Sequence, residues 1–242
     1  MIRFFCILFL AFSLGGCATI YNPATARHEL ILIDTQSEIV LGRDIDQQIK
    51  KDFVFLRDYN MQARIDSIGK RVALASDRQD LNYKFSIIKD DEFNAFAVPG
   101  GFIYVNSGLI NAANDDELAC VLAHEIGHIA ARHSVKRLQA NLGYQLLMGI
   151  ALGKSGSQAI SQAAGITYNV VALGFNRQDE FLADKLAVKY SSAAGYNPYG
   201  MVTFFKKLEE NKKPGLELVF LSSHPPVKDR IEQVEKEIAL IR

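Results

Sequence analysis

The residues of this 242-residue chain that are best suited to chemistry lie in one short segment, His124-Glu125-Ile126-Gly127-His128. On a helix, residues four apart share a face, so both imidazoles can reach one metal ion while Glu125 projects beside them. A helix is expected here because Asn114 is a good N-cap and Glu117 stands where it closes a capping box. The pattern predicts a zinc ion that lowers the pKa of its water toward about 7, with Glu125 as general base.

The surroundings of these residues favour the same chemistry. Between Leu118 and Ala131, the only polar side chains are His124, Glu125 and His128, so the helix is expected to be buried nearly all round. Polar groups in that setting cost several kcal/mol unless partners satisfy them, and a metal ion with its water does so. The alternative is a pair of core histidines bonded to backbone carbonyls.

A catalytic zinc ion typically takes three protein ligands, so a third ligand is required. The first carboxylates after the histidine pair are Asp179, Glu180 and Asp184, on a helix expected from Arg177 to Ala194. Glu180 and Asp184 share a helix face, so Glu180 suits a metal ligand and Asp184 an acceptor for the N–H of a ligand histidine. The alternative is that acidic residues simply favour the amino terminus of a helix.

His133 is a further candidate for the third ligand. It follows His128 by five residues, which on a continuous helix turns it about 140° away from that histidine. It also misses the metzincin spacing, which would need a ligand at Ser134 and a glycine at Ala131. We therefore interpret His133 as structural.

Two more segments are candidates for the site. Ser223-His224-Pro225-Pro226 places a histidine in a rigid turn, with Arg230 at the start of the last helix, although Pro-Pro can simply separate two helices. The hairpin Asn94–Gly108 precedes the histidine helix, as an edge strand would if it paired with an extended substrate backbone. The residues of that candidate strand are Asn94, Ala95, Phe96 and Ala97, and the alternative is plain sheet core.

The rest of the chain supplies the elements that must position these residues. Helical patterns run from Ser37 to Phe55 and from Met61 to Ser76, and Tyr83–Ile87 alternates as a strand does. Phe93–Val98 and Phe102–Asn106 flank a Pro-Gly-Gly turn, which predicts a β-hairpin. Strands come first and helices after, which predicts an α+β domain, mainly helical with a small sheet before the histidine helix.

The segment Gln139–Phe175 carries Lys154 as its only charged residue and is rich in Gly, Ala and Gln. Its longest apolar piece, Leu146 to Leu152, is far shorter than a membrane span. A packed helical hairpin and a mobile flap over a cleft both fit this composition.

The first residues have the pattern of an export signal. Arg3 gives a short positive start, and the apolar run from Phe4 to Leu14, about eleven residues, is too short for a bilayer span of roughly 20. Leu14-Gly15-Gly16-Cys17 resembles the bacterial lipobox, in which the cysteine is acylated and becomes the new amino terminus. We expect a signal peptide at 1–16, a tether at 17–33 and a catalytic domain at 34–242.

The charge balance and the cysteine content argue against a nucleic-acid-binding protein and against a disulfide within the chain. Basic and acidic residues balance at 27 each, so no net field favours nucleic acid as a partner. With Cys6 removed in the leader and Cys17 acylated, Cys120 has no disulfide partner in the chain and is interpreted as a small buried residue. A hydrophobic fraction of 49% with 22% charged residues is typical of a folded globular domain.

Four segments, in this order, resemble family forty-eight of the metallopeptidases over about Ser37 to Ile238. They are Asn94–Gly101, Glu117–His128, Glu180–Asp184 and Ser223–Pro226. The resemblance implies a minimal gluzincin peptidase fold, with one zinc ion held by His124, His128 and Glu180, Glu125 as base and Asp184 behind a ligand. It also implies that His224 lies near the metal and can regulate access to it.

The resemblance is closest in kind to the periplasmic lipoprotein members of this family. It implies a zinc-dependent endopeptidase, anchored as a lipoprotein, that cleaves misfolded or stalled envelope proteins in protein quality control. Ala18 after the acylated cysteine suggests the outer membrane, facing the periplasm of a Gram-negative bacterium. The expected partners are unfolded or misassembled proteins and the membrane. The alternative is a chaperone-like or binding lipoprotein with a latent, closed zinc site.

Overall fold

The computed structural model describes residues 19–151, 175–210, 224 and 227–241. Its strands are β1 (Thr19–Asn22), β2 (Arg27–Leu30), β3 (Lys84–Ile88), β4 (Ala95–Val98) and β5 (Phe102–Asn106). Its helices are α1 (Thr35–Asp52), α2 (Tyr59–Leu74), α3 (Ser107–Ala112), α4 (Asp115–Ala130), α5 (His133–Ala151), α6 (Arg177–Ala193), α7 (Tyr199–Glu210) and α8 (Val227–Leu240). Small sheets followed by helices confirm the predicted α+β class.

The first two helices begin slightly earlier than predicted because aspartates cap them. Asp34 accepts from the Ser37 N–H, so α1 starts at Thr35. Asp58 accepts from the N–H groups of the second and third residues that follow it, so α2 starts at Tyr59. Such caps satisfy backbone donors that a helix leaves unpaired at its first turn.

The three-stranded sheet has the order β3-β5-β4, with β3 parallel and β4 antiparallel to β5. The β4–β5 pair confirms the predicted hairpin, and a short 3-10 helix, Pro99–Gly101, connects its strands. Gly100 and Gly101 have φ of 79° and 92°, a region that glycine adopts without strain. Gly42 of α1 lies directly against this turn, since a Cβ atom there would stand 2.0 Å from the Pro99 carbonyl oxygen.

The segment predicted to be a tether, 17–33, contains regular structure. From residue 19 it forms the antiparallel β1–β2 hairpin, and the main chain that follows is bonded to Gln139 of α5. Neither strand has the alternation of apolar and polar residues that marks a half-buried strand, so the pattern gave no signal. The hairpin depends on contacts with a helix more than a hundred residues away.

Helix α4 lies at the centre of the core. Helices α2, α6 and α7 and strand β4 pack around it, and apolar side chains fill the contacts. Cys120 of α4 is free and buried, as expected for a small core residue, and burial raises its pKa to about 12.

Among the described residues, none of the helices is both long and apolar enough to cross a membrane. Helix α5 includes the first part of the segment for which a helical hairpin or a flap was predicted. The remainder of that segment, 152–174, lies outside the described residues, as do the predicted signal peptide and Cys17.

Candidate metal centre

Helix α4 carries the predicted histidine pair, and the predicted capping box fixes its start. The Asn114 side chain accepts from the Glu117 N–H, and the Glu117 carboxylate accepts from the Asn114 N–H, both at 2.9 Å. Apolar neighbours surround the turns that follow. His124, Glu125 and His128 are therefore almost fully buried, at 0%, 0% and 1% exposure.

Helix α6 brings two carboxylates against α4. Asn176 caps α6, and Glu180 and Asp184 follow one turn apart on its buried face. The two helices approach closely at Gly127, where a Cβ atom would lie 3.1 Å from the Ala183 carbonyl oxygen. The shared face expected from the spacing is thus turned toward the histidine pair.

Four side chains bring one donor atom each within 4.8 Å of one another: His124, His128, Glu180 and His224. His124 Nε2 lies 3.0 Å from His128 Nε2 and 3.5 Å from Glu180 Oε2, and His128 Nε2 lies 3.4 Å from Glu180 Oε1. Ligands bound to one tetrahedral zinc ion at about 2.05 Å stand about 3.3 Å apart. The donor set and its spacing therefore fit a zinc ion.

The outer nitrogens of the histidine pair also have partners. His124 Nδ1 lies 2.9 Å from Asp184 Oδ1, and His128 Nδ1 lies 2.9 Å from His133 Nδ1. A histidine that donates its Nδ1–H to such a partner keeps the Nε2 lone pair for a metal and is held in one ring orientation. Asp184 thus lies where the spacing suggested, behind a histidine of the pair.

The prediction that His133 points away from His128 is wrong. Helix α4 ends at Ala130, the backbone at Arg132 is left-handed with φ of 55°, and α5 begins at His133. The two histidines therefore do not share a continuous helix, and the reversal turns the His133 ring back against His128. Arginine is an uncommon residue at positive φ, so its type gave no sign of this break.

Phe175 was also missed by the sequence analysis. Its ring stacks on that of His128 with centroids 3.8 Å apart and planes tilted by 22°. It covers one face of the imidazole and shields it from water. No helical or strand pattern marks Phe175, which immediately precedes the cap of α6.

Arg230 of α8 is fully buried and connects three parts of the site. Its Nε and Nη2 donate to the two oxygens of Asp184 at 2.7 Å. Its Nη1 lies 3.0 Å from Glu180 Oε2 and donates to the His224 carbonyl oxygen at 3.0 Å. Burial raises the pKa of Asp184, but the charge and hydrogen bonds of Arg230 outweigh this and hold it below its ordinary value.

The ring of His224 lies inside the donor cluster. Its Nδ1 is 2.9 Å from Glu180 Oε1 and 3.3 Å from His124 Nε2. Its Nε2 is 3.6 Å from Glu125 Oε1. A neutral imidazole in this place has the chemistry of a fourth metal ligand.

Glu125 is in a different environment from the other carboxylates. Both of its carboxylate oxygens are buried without a hydrogen-bond partner among the described residues. Burial raises the pKa of this carboxyl above its ordinary value. A buried acid of this kind is destabilising unless a water molecule or a substrate group reaches it, which suits a general base.

The candidate substrate strand is β4. It stands at the edge of the three-stranded sheet and packs against α4. Ala95 and Ala97 face the core, whereas Phe96 stacks on Tyr104 with centroids 5.0 Å apart. Asn94 has a buried side-chain oxygen with no partner in the described part of the chain. β4 thus has the edge position that strand pairing with a peptide requires.

Residues 60–238 match the model of peptidase family M48. This chain belongs to peptidase family M48. It is therefore a metalloprotease by family, which confirms the resemblance of the four segments. The buried cluster of histidines and glutamate is in keeping with a metal-dependent family.

Three relatives illustrate how far the similarity extends. The chain is 30% identical over 221 residues to the metalloprotease LoiP of Escherichia coli (strain K12), covering 90% of this chain and 86% of LoiP. It is 28% identical over 202 residues to the beta-barrel assembly-enhancing protease of the same organism, covering 78% of this chain and 39% of that protein. It is 29% identical over 222 residues to the mitochondrial metalloendopeptidase OMA1 of Schizosaccharomyces pombe, covering 89% of this chain and 65% of that protein. The chain thus spans less than two thirds of the length of the latter two relatives.

Proposed function

We propose that this chain is a zinc-dependent endopeptidase. The observation that carries the proposal is the buried donor set of His124, His128 and Glu180 beside Glu125, whose carboxylate has no hydrogen-bond partner in the described part of the chain. These three residues would hold the zinc ion, which when bound acts as a Lewis acid and makes water a nucleophile at neutral pH. Membership of the family and the names of its relatives support the same reaction.

Glu125 moves the proton in the proposed reaction. It accepts a proton from the attacking water and then donates it to the leaving amine. Strand β4 holds the extended substrate backbone by strand pairing. Asp184 and His133 keep the ligand rings in one orientation by accepting their outer N–H groups.

The substitution Glu125→Gln tests this assignment. Glutamine has nearly the same size but cannot accept the proton, so the variant should fold and bind zinc but not cleave an unfolded protein. Zinc content and cleavage rate are measured on the same preparation. Substantial proteolysis by the variant, in a preparation free of contaminating protease, would remove Glu125 from the mechanism.

We infer from the Leu14-Gly15-Gly16-Cys17 motif that the chain is a lipoprotein, acylated at Cys17. Ala18 supports an outer-membrane address facing the periplasm. Cys17→Ala should lose the acyl mass and the membrane fractionation, while the catalytic domain still folds. Unchanged mass and fractionation would refute the lipoprotein address.

Misfolded or stalled envelope proteins are the substrates we propose, with protein quality control as the role. The name of one relative, the beta-barrel assembly-enhancing protease of Escherichia coli, supports this. The second candidate is a chaperone-like lipoprotein with a closed zinc site. The position of His224 favours it, because His224 Nδ1 lies 3.3 Å from His124 Nε2. Binding of an unfolded envelope protein without cleavage, with zinc present, in both the wild type and His224→Ala would support the second candidate.

A further inference from the structure

The β1–β2 hairpin has two faces of different character. In the antiparallel pairing, Thr19 stands opposite Leu30 and Tyr21 opposite His28, so these side chains share one face. The rings of Tyr21 and His28 lie 5.4 Å apart, in agreement with this register. Tyr21 and Leu30 are 56% and 58% exposed, and Leu32, next on the same side, is 68% exposed. We call these five residues the outward face.

The opposite side of the hairpin is attached to the body of the protein. Asn22 is buried there, and Glu29 forms an ion pair with Lys136 of α5. Gln139 of α5 bonds the main chain of both exposed leucines, and Ile31 between them is buried. The outward face is therefore held in one direction, away from α5.

The outward face lies next to the proposed site of acylation. Cys17 precedes Thr19 by two residues, and two residues of fully extended chain span at most about 7 Å. Acyl chains on Cys17 would therefore keep the hairpin at the surface of the bilayer. This step rests on the lipoprotein address proposed above.

We propose that the outward face lies on the lipid bilayer and makes a second membrane contact beside the acyl chains. Tyr21 has the amphipathic ring that is enriched at membrane interfaces, and Leu30 and Leu32 add apolar side chains. The outward face contains no Asp, Glu, Lys or Arg, so no charge must leave water when it meets lipid. The carboxylate of the hairpin, Glu29, is paired on the other side.

The anchor is the reason to choose a bilayer over a second copy or a peptide as the occupant. It holds the hairpin close to lipid in every acylated chain, whatever else is bound. Another protein would have to enter the narrow space that the short connection from Cys17 leaves.

Fluorescence quenching in the full acylated chain tests the contact. Leu32→Cys places a thiol-reactive fluorophore on the outward face. Val54→Cys, at a residue that is 67% exposed, places it beyond the far end of α1. Cys120 does not compete for the label, because it is buried and burial raises its pKa to about 12. In phosphatidylethanolamine–phosphatidylglycerol vesicles with nitroxide lipid, the Leu32 label should lose most of its fluorescence and the Val54 label little.

A charged residue introduced on the outward face distinguishes contact with the bilayer from mere nearness to the lipid anchor. In the Leu32→Cys protein, Leu30→Asp should restore much of the quenched fluorescence, because a carboxylate resists transfer from water to lipid. The matched change Leu74→Asp, at a residue of α2 that is 76% exposed, should leave the quenching unchanged.

The outcomes distinguish the contact from the address. An unquenched Leu32 label on protein whose mass shows acylated Cys17 would overturn the bilayer contact and leave the lipoprotein address standing. An unmodified Cys17 would remove both. Self-quenching in nitroxide-free vesicles that disappears on dilution with unlabelled protein would identify a second copy as the occupant and would also overturn the contact.

Discussion

Glu125, Glu180 and Asp184 are three buried carboxylates in one site, and their surroundings give them different properties. Burial raises the pKa of each, but the contact with His224 and hydrogen bonds from the histidine pair hold the pKa of Glu180 well below its ordinary value. Arg230 does the same for Asp184. The pKa of Glu125 is raised instead. Acids whose pKa values are driven apart in this way commonly have different roles. Of the three, Glu125 is the one suited to take up and release a proton.

Removal of Glu180 tests the ligand set without touching the base. Wild-type protein should carry about one zinc ion per chain, and Glu180→Ala should lose most of it because only the histidine pair then remains of the proposed ligands. Metal content is measured by mass spectrometry beside Glu125→Gln, which should keep its zinc. Full occupancy in Glu180→Ala would move the third ligand elsewhere, with His224 the next donor within reach.

His133 is expected to act on the metal through His128. Its Nδ1 lies 2.9 Å from the outer nitrogen of His128, so His133→Ala should weaken zinc binding about 10- to 100-fold. His133→Asn should recover part of the affinity, since its side-chain oxygen can accept the same N–H. Chelator competition measures both, with exposed His28→Ala as the control. Equal affinity in wild type and His133→Ala would leave His133 with a structural role alone.

At the scale of elements, the predictions that succeeded concern features governed by local contacts. The capping box of Asn114 and Glu117 determines where α4 begins, and Asn176 does the same for α6. The Pro-Gly-Gly turn predicted the β4–β5 hairpin. In each case the sequence signal and the structure that it predicts lie within a few residues of each other along the chain.

The features that the sequence analysis missed depend on distant contacts. The reversal at Arg132 is held by Glu38 and Thr35, which are 94 and 97 residues away. The β1–β2 hairpin depends in the same way on α5. The spacing predicted that Glu180 and Asp184 share one helix face, but it did not predict that this face packs against α4. Only the family resemblance implied that Glu180 meets the histidine pair. The position of His133 required the break at Arg132, which no local pattern marks.

The contact between α1 and the Pro-Gly-Gly turn gives a test at this scale. A Cβ atom at Gly42 would stand 2.0 Å from the Pro99 carbonyl oxygen, so Gly42→Ala must displace either the helix or the turn. We expect a loss of about 1–3 kcal/mol in the free energy of unfolding, measured by denaturant titration. Gly143→Ala, also in a helix but with nothing within 4 Å, should be neutral or stabilising. Similar stability of both variants would show that α1 is not packed against the turn.

At the scale of the molecule, the hairpin and the metal centre are joined through α5. Gln139 and Lys136 of α5 bind the hairpin, and His133 at the start of the same helix contacts His128. The proposed bilayer contact would therefore set the orientation of the metal centre relative to the membrane. A substrate would then meet the site from a fixed direction, and access would depend on what covers the donor cluster.

His224 is placed to affect access to the metal site, because its ring lies within the donor cluster. Arg230 donates a hydrogen bond to its carbonyl oxygen. A neutral imidazole there can occupy the position that the attacking water needs, which would leave the enzyme inactive at rest. A substrate paired along β4 would favour the state in which His224 has left, if it binds that state preferentially.

This arrangement predicts that His224→Ala loses latency. Basal cleavage of an unfolded protein should rise, with self-digestion as a further sign, because the position for water is then free. Zinc content should stay near that of wild type, since His124, His128 and Glu180 remain. Cleavage rate and metal content are measured together for both proteins, with exposed His28→Ala as the control. If His224→Ala is instead inactive with zinc bound, the histidine assists the transition state, and its interpretation as a brake fails.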